Sequence, residues 1–172
     1  MERDAAVAGE PSAVLDGPEA FAAWVRPHWT VMAHFATRLV GAVDSEDVLQ
    51  DALAVAWRKR GRFDERRGPA RSWLLALVAD QARKAHRRTA RRPRLVESSD
   101  PGGPSAEQRV DIERAVARLS PRQRIAVYLY YYLDLPVAEV AAVMGCAEGT
   151  AKSTLADARG RLHDYLEEGS HE

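Results

Sequence analysis

The residues best suited to chemistry in this chain form a dense block of lysines and arginines between positions 58 and 94. This block holds 14 Lys and Arg against 3 Asp and Glu, although the whole chain has 25 of each and no formal net charge. A cationic surface of this density binds phosphates and gains affinity by releasing their counterions. The block therefore predicts a surface that binds nucleic acid.

The two flanks of the basic block carry the opposite charge. Residues 1–57 hold 3 Lys and Arg against 9 Asp and Glu, and residues 95–172 hold 8 against 13. Acidic surfaces do not attract phosphates, so the flanks require a different partner.

Other chemistry-bearing residues give little support for an enzyme. The sequence contains no nucleophile–base grouping and no glycine-rich phosphate loop. Its five histidines lack metal-ligand spacing with a cysteine partner, so we predict neither a metal nor a cofactor. The lone Cys146 excludes a disulfide framework; it is either a buried small hydrophobe, the commoner role, or a redox sensor.

The hydropathy of the sequence argues against membrane insertion. No run approaches the ~18 uninterrupted apolar residues of a membrane span, and the first residues lack the order of a signal peptide. We expect a cytoplasmic protein that makes no membrane contact.

Helices must position the basic block, because Ala, Leu, Val, Arg and Glu outnumber Thr, Ile and Phe. Apolar spacing predicts four helices in residues 18–90, with the third capped at Asp44 to Asp47. Composition predicts a tail at residues 1–17 and a flexible Pro/Gly/Ser-rich linker at residues 91–106. The expected fold class is all-α, with a second small helical domain at residues 107–167.

The last two predicted helices have the spacing of a helix-turn-helix. Ala141 provides a small contact residue and Gly145 a turn residue that tolerates positive φ. Upstream, Ser120 and Gln123 form the pattern of a capping box. The half of the final helix that would enter the major groove contains Glu148, Gly149, Thr150, Lys152, Ser153 and Thr154. On spacing alone, a plain αα-hairpin is an equal alternative.

Tyrosines cluster at the end of the helix before this motif. Tyr128, Tyr130, Tyr131 and Tyr132 cannot all face one core, so some must be exposed. Exposed tyrosines are typical of protein interfaces.

Residues 119–124, 135–141 and 148–153 resemble region 4 of bacterial RNA polymerase sigma factors. LuxR-type response regulators share a similar C-terminal pattern, so the N-terminal half decides. Residues 45–52, Ala56-Trp57, Phe63 and residues 72–74 resemble region 2 of the same sigma factors, which LuxR-type regulators lack. Two domains without room for a region 3 are similar to the extracytoplasmic function group of the sigma-70 superfamily. The resemblance covers about residues 20–166.

The resemblance implies a partner for the acidic N-terminal flank. In this family, the helix that carries Asp47, Gln50 and Asp51 binds a basic coiled coil of the core RNA polymerase clamp. For Glu46, a solvated acidic face of a capped helix is the preferred interpretation.

The resemblance also implies that the loop from Gly61 to Arg71 and the next helix hold the separated minus-ten strand. Aromatic and guanidinium planes stack on bases, and basic side chains follow the backbone. A plain core position is an alternative for both Phe63 and Trp73, and for Trp73, whose spacing matches its apolar neighbours, it is favoured over a base contact. The candidate contacts are Arg62, Phe63, Arg66, Arg67, Arg71, Trp73, Asp80, Arg83, Lys84, Arg87 and Arg88.

Region 4 of the family docks on the polymerase flap and reads the minus-thirty-five duplex. The candidate contacts here are Arg122, Arg124, Gly149, Thr150, Lys152, Ser153, Thr154 and Arg159. The chain departs from the family at Ala79-Asp80, where Arg-Asn is frequent. It also departs at Thr154, Ala156 and Asp157, where the family usually has basic residues.

The function implied by the resemblance is that of a sigma factor, which binds core polymerase and directs promoter recognition, minus-ten melting and transcription initiation without catalysis of its own. The resemblance also implies an anti-sigma factor as a partner. The alternative is a stand-alone helix-turn-helix regulator. A third hypothesis is an interaction protein that has kept the fold and lost promoter recognition.

Overall fold

The computed structural model describes residues 17–89 and 106–169, and every regular element in these two ranges is helical. The all-α prediction is confirmed. The predicted tail and linker lie almost entirely outside the described residues.

The N-terminal domain contains the four predicted helices. They are α1 (Pro18–Val25), α2 (Trp29–Val40), α3 (Ala42–Lys59) and α4 (Ala70–Thr89). Helices α2, α3 and α4 pack against one another around fully buried side chains that include Met32, Phe35, Leu74 and Val78. Packing in this bundle fixes the position of α4, the most basic helix.

The start of α3 differs from the prediction. The helix begins at Ala42 rather than after a cap at Asp44, because Gly41, with φ of 82°, both ends α2 and precedes α3. Such a φ is costly for residues with a Cβ. Asp44 lies in the first helical turn, and the Ser45 hydroxyl donates to the Ala42 carbonyl at 2.9 Å. Asp44 still lies where the helix dipole favours an acid, whereas Glu46 and Asp47 lie beyond the first turn.

The C-terminal domain also contains four helices. They are α5 (Ala106–Arg118), α6 (Pro121–Val127), α7 (Val137–Met144) and α8 (Glu148–Gly169), and a π-helical turn, Tyr128–Tyr132, extends α6. The predicted capping box is confirmed, since the Ser120 side chain accepts from the Gln123 amide at 3.3 Å and the Gln123 side chain accepts from the Ser120 amide at 3.2 Å.

The turn between α7 and α8 has the geometry of a helix-turn-helix. Gly145 is left-handed with φ of 64°, and its amide bonds back to α7. Ala141 and Ala151 are buried where the two helices pack together. The prediction of a small contact residue followed by a turn glycine is confirmed.

The two domains contact each other directly. Helix α4 packs against α7, and α2 and α4 pack against α6, so buried residues of both domains form one apolar cluster. The sequence did not predict this contact.

Candidate nucleic-acid interface

The loop between α3 and α4 presents a row of arginines to solvent. It consists of two short 3-10 turns, Arg60–Arg62 and Glu65–Arg67, and the side chains of Arg62, Arg66 and Arg67 are exposed. Arg66 donates from Nε and Nη2 to the Asp64 carboxylate at 3.0 and 3.2 Å, and these hydrogen bonds lower the pKa of Asp64. The loop therefore orders one of its own cations.

Two predicted base contacts of this loop lie in an aromatic cluster instead. The ring centroid of Phe63 lies 5.0 Å from that of Trp24 and 5.5 Å from that of Trp73. Phe63 is only 8% exposed, so the prediction that its ring stacks on a base is corrected: the ring anchors the loop to the helices. Trp73, half-buried in the same cluster, has the packing position that its spacing favoured.

The middle of α4 carries an acid surrounded by candidate cations. The Asp80 carboxylate accepts from Lys84 Nζ at 2.8 Å and lies 3.8 Å from an Arg83 nitrogen. The hydrogen bond from Lys84 is the largest cause of the lowered pKa of Asp80. Asp80 therefore holds two predicted DNA contacts in place, whereas Arg87 one turn further is exposed.

The end of α4 lies beside the predicted polymerase-binding residues. Arg88 Nη2 lies 3.7 Å from Asp51 Oδ2 of α3, and both side chains are more than half exposed. Gln50 donates to Glu46 at 3.5 Å on the same face. Asp51, Arg88 and Gln50, but not Glu46, line a cavity of about 380 Å³, whose other lining residues are Asp44, Asp47, Val48 and Ala85. The structure thus brings the predicted clamp-binding residues together.

Arg71 is separated from the exposed arginine row. Its Nη2 donates to the Leu133 carbonyl of the C-terminal domain at 3.3 Å, and its Nε is buried without a hydrogen-bond partner. The prediction that Arg71 lies open to a DNA strand is corrected, because the contact between the domains holds its guanidinium.

The predicted reading face of α8 is exposed and weakly charged. Gly149, Thr150, Lys152 and Ser153 lie on the surface of the first two turns, where the Ser153 hydroxyl donates to the Thr150 carbonyl at 3.0 Å. Arg159, further along α8, is also exposed, and so is Arg122 on α6. These residues remain available for contacts with a duplex.

Two other predicted contacts of this domain point elsewhere. Thr154 is 8% exposed and its hydroxyl donates to the Thr150 carbonyl at 2.7 Å. Arg124 Nη2 donates to the carbonyls of Ala117 and Leu119 at 2.7 and 3.2 Å, which completes the C-terminal end of α5. Both predictions are corrected: these side chains bond to backbone carbonyls of their own domain.

Sequence reasoning missed the polar residues that join the domains. The Ser72 hydroxyl donates to Glu139 Oε2 at 2.7 Å, and Arg38 Nη2 donates to the Tyr132 hydroxyl at 2.8 Å. The one signal that pointed here was the tyrosine cluster. Tyr130, Tyr131 and Tyr132 are exposed, as their spacing required, and Tyr132 does take part in an interface.

Two other kinds of site are absent from residues 17–89 and 106–169. No group of three or more His, Cys, Asp or Glu side chains there is arranged to hold a metal ion. Across these same two ranges, no helix has the length and hydropathy needed to cross a membrane. Cys146 is half-buried in the turn of the helix-turn-helix.

Family models match both domains in order. The model described as Sigma-70 region 2 matches residues 17–92, and the model described as Sigma-70, region 4 matches residues 109–162. These matches cover the basic block and the helix-turn-helix, respectively.

Individual relatives agree with the family models. The chain is 35% identical over 139 residues to the ECF RNA polymerase sigma factor SigL of Mycobacterium tuberculosis, covering 74% of this chain and 78% of the relative. It is 29% identical over 153 residues to the ECF RNA polymerase sigma factor RpoE of Cereibacter sphaeroides, covering 77% and 82%.

A solved structure shares the arrangement of helices. The sigma factor RpoE of Bartonella quintana, in complex with the anti-sigma factor NepR, superposes with a TM-score of 0.69 at 26% identity, covering 87% of this chain and 98% of that one. CnrH, in complex with the cytosolic domain of CnrY, gives a TM-score of 0.67 at 23% identity, covering 90% and 92%, which supports the fold.

Proposed function

Because this chain belongs to the extracytoplasmic function group of RNA polymerase sigma factors, we propose that its two domains divide the work of promoter opening. The N-terminal domain docks on the polymerase clamp and holds the separated minus-ten strand. The C-terminal domain docks on the flap and reads the minus-thirty-five duplex. The observation that carries this proposal is the order of the two sigma-70 regions, with the basic block confined to the first.

The minus-ten site consists of the cations of the loop and of α4, all of them exposed except the half-buried Arg83. Arg62, Arg66 and Arg67 lie on the loop, and Arg83, Lys84, Arg87 and Arg88 follow along the helix. Cations in such a row neutralise successive phosphates of a strand without reading its sequence. We assign Phe63 and Trp73 to the support of this row, since their cluster fixes the loop. Asp80 pairs with Arg83 and Lys84 and so offsets part of the charge they offer to the strand.

The clamp-binding site is the acidic cavity on α3. Asp47, Gln50 and Asp51 line it together with Asp44, and among the described residues that line it the one cation is Arg88. A basic coiled coil that enters this cavity would compete with Arg88 for Asp51. Docking would then release Arg88 toward the DNA strand beside it, so that polymerase binding assists strand capture.

The minus-thirty-five site is the exposed face of α8. Thr150, Lys152 and Ser153 reach base edges or phosphates in the major groove, and Gly149 allows close approach of the backbone. Arg122 and Arg159 contact phosphates at its margins. Few cations support this site, so its duplex affinity without polymerase is low.

Charge reversal on α3 tests the proposed function. Asp51→Arg should abolish transcription from a cognate promoter by purified core polymerase, because it places a cation against the basic clamp. Glu46→Arg is the matched control on the same helix; its side chain lies outside the cavity lining and its variant should keep most activity. Equal loss in both variants would contradict the assignment, and so would full activity of Asp51→Arg.

The same assay separates this function from that of a stand-alone regulator. Such a regulator would bind duplex tightly alone and would not stimulate core polymerase on any promoter. The match of residues 17–92 to Sigma-70 region 2 argues against a stand-alone regulator, because the N-terminal domain would have no role in such a protein.

An anti-sigma factor is part of the proposal. The Bartonella quintana sigma factor was solved in complex with the anti-sigma factor NepR, and the present chain covers 98% of that sigma factor. We propose that a protein of this class binds the present chain where polymerase would, in the cytoplasm. The test is to purify the chain together with such a protein and then add core polymerase. We expect the two proteins to co-purify, and we expect core polymerase to displace the anti-sigma factor from the chain.

A further inference from the structure

One arginine of the loop between α3 and α4 is held differently from its neighbours. Arg66 donates from Nε and Nη2 to the two carboxylate oxygens of Asp64, at 3.0 and 3.2 Å, although its side chain is 83% exposed. A guanidinium bound through two parallel hydrogen bonds has a fixed orientation as well as a fixed position. A planar cation that faces solvent is therefore held in one orientation.

The carboxylate that holds Arg66 is itself fixed by the loop. Asp64 Oδ1 also accepts from the Arg66 backbone amide at 3.1 Å, which caps the second 3-10 turn. The Asp64 carbonyl accepts from the Arg67 amide at 3.0 Å, and the preceding residue, Phe63, is buried in the aromatic cluster. The hydrogen bonds from Arg66 lower the pKa of Asp64, so the carboxylate is ionised at neutral pH. These contacts connect the guanidinium to the packed helices.

The pairing with Asp64 argues against a phosphate contact for Arg66. A guanidinium binds phosphate through two N–H groups of one edge, and Asp64 already occupies the edge formed by Nε and Nη2. A phosphate that approached the other edge would be repelled by the nearby carboxylate. Arg66 therefore differs from the exposed Arg62 and Arg67 beside it, which we assign to phosphates.

The faces of this guanidinium suit the stacking of a nucleobase. Bases stack on arginine planes as they do on aromatic rings, because every base has a π-face. The loop offers no aromatic plane instead, since its one aromatic residue, Phe63, is 8% exposed. The guanidinium of Arg60 is already stacked, with its Cζ 3.8 Å from the centre of the Trp57 ring. Arg66 combines a fixed plane with high exposure.

We propose that Arg66 is the stacking surface for an unpaired base of the minus-ten strand, and that Asp64 is the positioning residue that holds this surface in place. The inference rests on the proposed function and changes one role within it: Arg66 binds a base where its neighbours bind phosphates. The ligand is a base that has left the duplex, because a base inside the duplex has both faces covered. Asp64 acts twice, since it fixes the plane and offsets the charge that would attract a phosphate.

Abasic nucleotides separate stacking from phosphate binding, because they remove a base and keep its phosphates. Holoenzyme formed with the full chain would be titrated with fluorescent minus-ten strands that carry one abasic nucleotide, placed at each position in turn. At the stacked position, the abasic strand should bind the wild-type holoenzyme roughly tenfold more weakly than the intact strand. Arg66→Lys keeps the charge without the plane, so the two strands should bind this variant about equally.

Asp64→Asn tests the positioning role. The amide oxygen can still accept from the Arg66 backbone amide, so the turn is kept, whereas the ionic pairing with the guanidinium is lost. The abasic penalty at the stacked position should fall by about threefold, while the penalties at other positions stay as in the wild type. Arg67→Lys is the matched control on the neighbouring residue and should keep the full penalty.

The results that contradict each part of the proposal differ. An abasic penalty that Arg66→Lys leaves unchanged at every position would overturn the stacking, and so would an equal loss of the penalty in Arg67→Lys. A wild-type penalty in Asp64→Asn, or an equal fall at every position, would overturn the positioning role. If the wild-type holoenzyme binds no minus-ten strand, the proposed function fails and the stacking fails with it. Strand binding without the Arg66 effect overturns this inference alone.

Discussion

The surfaces proposed to bind DNA on the two domains differ in how the charge of their cations is balanced by acids. On the N-terminal surface each of several cations is held by an acid: Arg66 by Asp64, Lys84 by Asp80 and Arg88 by Asp51. On the first two turns of α8 the exposed residues Gly149, Thr150 and Ser153 are small and uncharged, and Lys152 is the cation among them. The number of cations on a surface therefore indicates where phosphates bind. The acids that pair with those cations determine how much of their positive charge is available to the phosphates.

The largest expected effect comes from removing cations of the N-terminal surface. A triple variant, Arg62→Ala with Arg67→Ala and Arg87→Ala, should weaken open complexes by roughly two orders of magnitude. The slope of log affinity against log salt concentration should also become shallower by about two, because each lost contact with a single-strand phosphate removes about 0.7 from the slope. Holoenzyme binding to a fluorescent minus-ten strand at several salt concentrations measures both.

The matched control is Arg26→Ala, an exposed arginine outside the basic block. On the other surface, Lys152→Ala with Arg159→Ala should chiefly affect the minus-thirty-five duplex. If this pair of substitutions weakened the open complex more than the triple variant does, the C-terminal surface would be the main phosphate-binding surface, contrary to the comparison.

A change in the turn of the helix-turn-helix should affect the C-terminal surface alone. Gly145→Ala places a Cβ on a residue with φ of 64°, which costs about 1–2 kcal/mol although no atom lies within 4 Å of that Cβ. We expect a loss of duplex reading and an earlier unfolding transition.

Gly160→Ala is the control for this prediction, because Gly160 lies within α8 and its added Cβ also meets no atom. Alanine is the better helix former, so this variant should be stabilised by up to about 1 kcal/mol. Equal unfolding midpoints for the two variants, measured in urea, would contradict the argument.

Removing an acid from the N-terminal surface should strengthen the binding of the minus-ten strand to that surface. Asp80→Asn ends the charge pairing with Lys84 and Arg83 and should raise affinity for the minus-ten strand severalfold, more at low salt. Because the pKa of Asp80 is lowered, lowering the pH toward its ordinary range should not reproduce this gain. Asp157→Asn on α8 is the control; an equal gain from it would point to net charge alone.

The smallest expected effect is a pH dependence of stability. Burial lowers the pKa of His86, Arg124 lowers it further, and the Leu39 carbonyl and Asp44 oppose the shift. Since the folded pKa lies below the ordinary value of 6.5, the unfolded chain binds more protons below that pH, and stability falls as the pH falls. His86→Gln should reduce the loss of melting temperature between pH 7.5 and 5.5. An unchanged loss would assign it to other groups, such as His28, whose pKa is also lowered.

Local patterns were sufficient for much of this molecule. The capping box at Ser120, the left-handed Gly145 and the helices on either side follow from a few adjacent residues, so the sequence predicted them. The cap predicted at Asp44 was wrong because Gly41 ends one helix and begins the next, and a polar residue is not needed there.

Contacts between residues far apart in the chain could not be predicted from the sequence. Ser72 and Glu139 are 67 positions apart, and nothing in either neighbourhood indicates the other. Arg124 and Thr154 have the residue types of DNA contacts, yet both donate to backbone carbonyls a few residues back in the chain, and Thr154 is buried in the fold. The type of a side chain indicates what it can bind, whereas its direction depends on packing across the whole fold.

The π-helical turn at Tyr128–Tyr132 holds one residue more than an α-helical turn would, with the Leu133 amide bonded five residues back to Tyr128 at 3.0 Å. The Tyr132 hydroxyl and the Leu133 carbonyl that meet the N-terminal domain lie at the end of this turn. Deleting one codon here would restore an α-helical turn and rotate the C-terminal part of the chain by about 100°. A single inserted residue thus sets the register in which one half of the molecule meets the other.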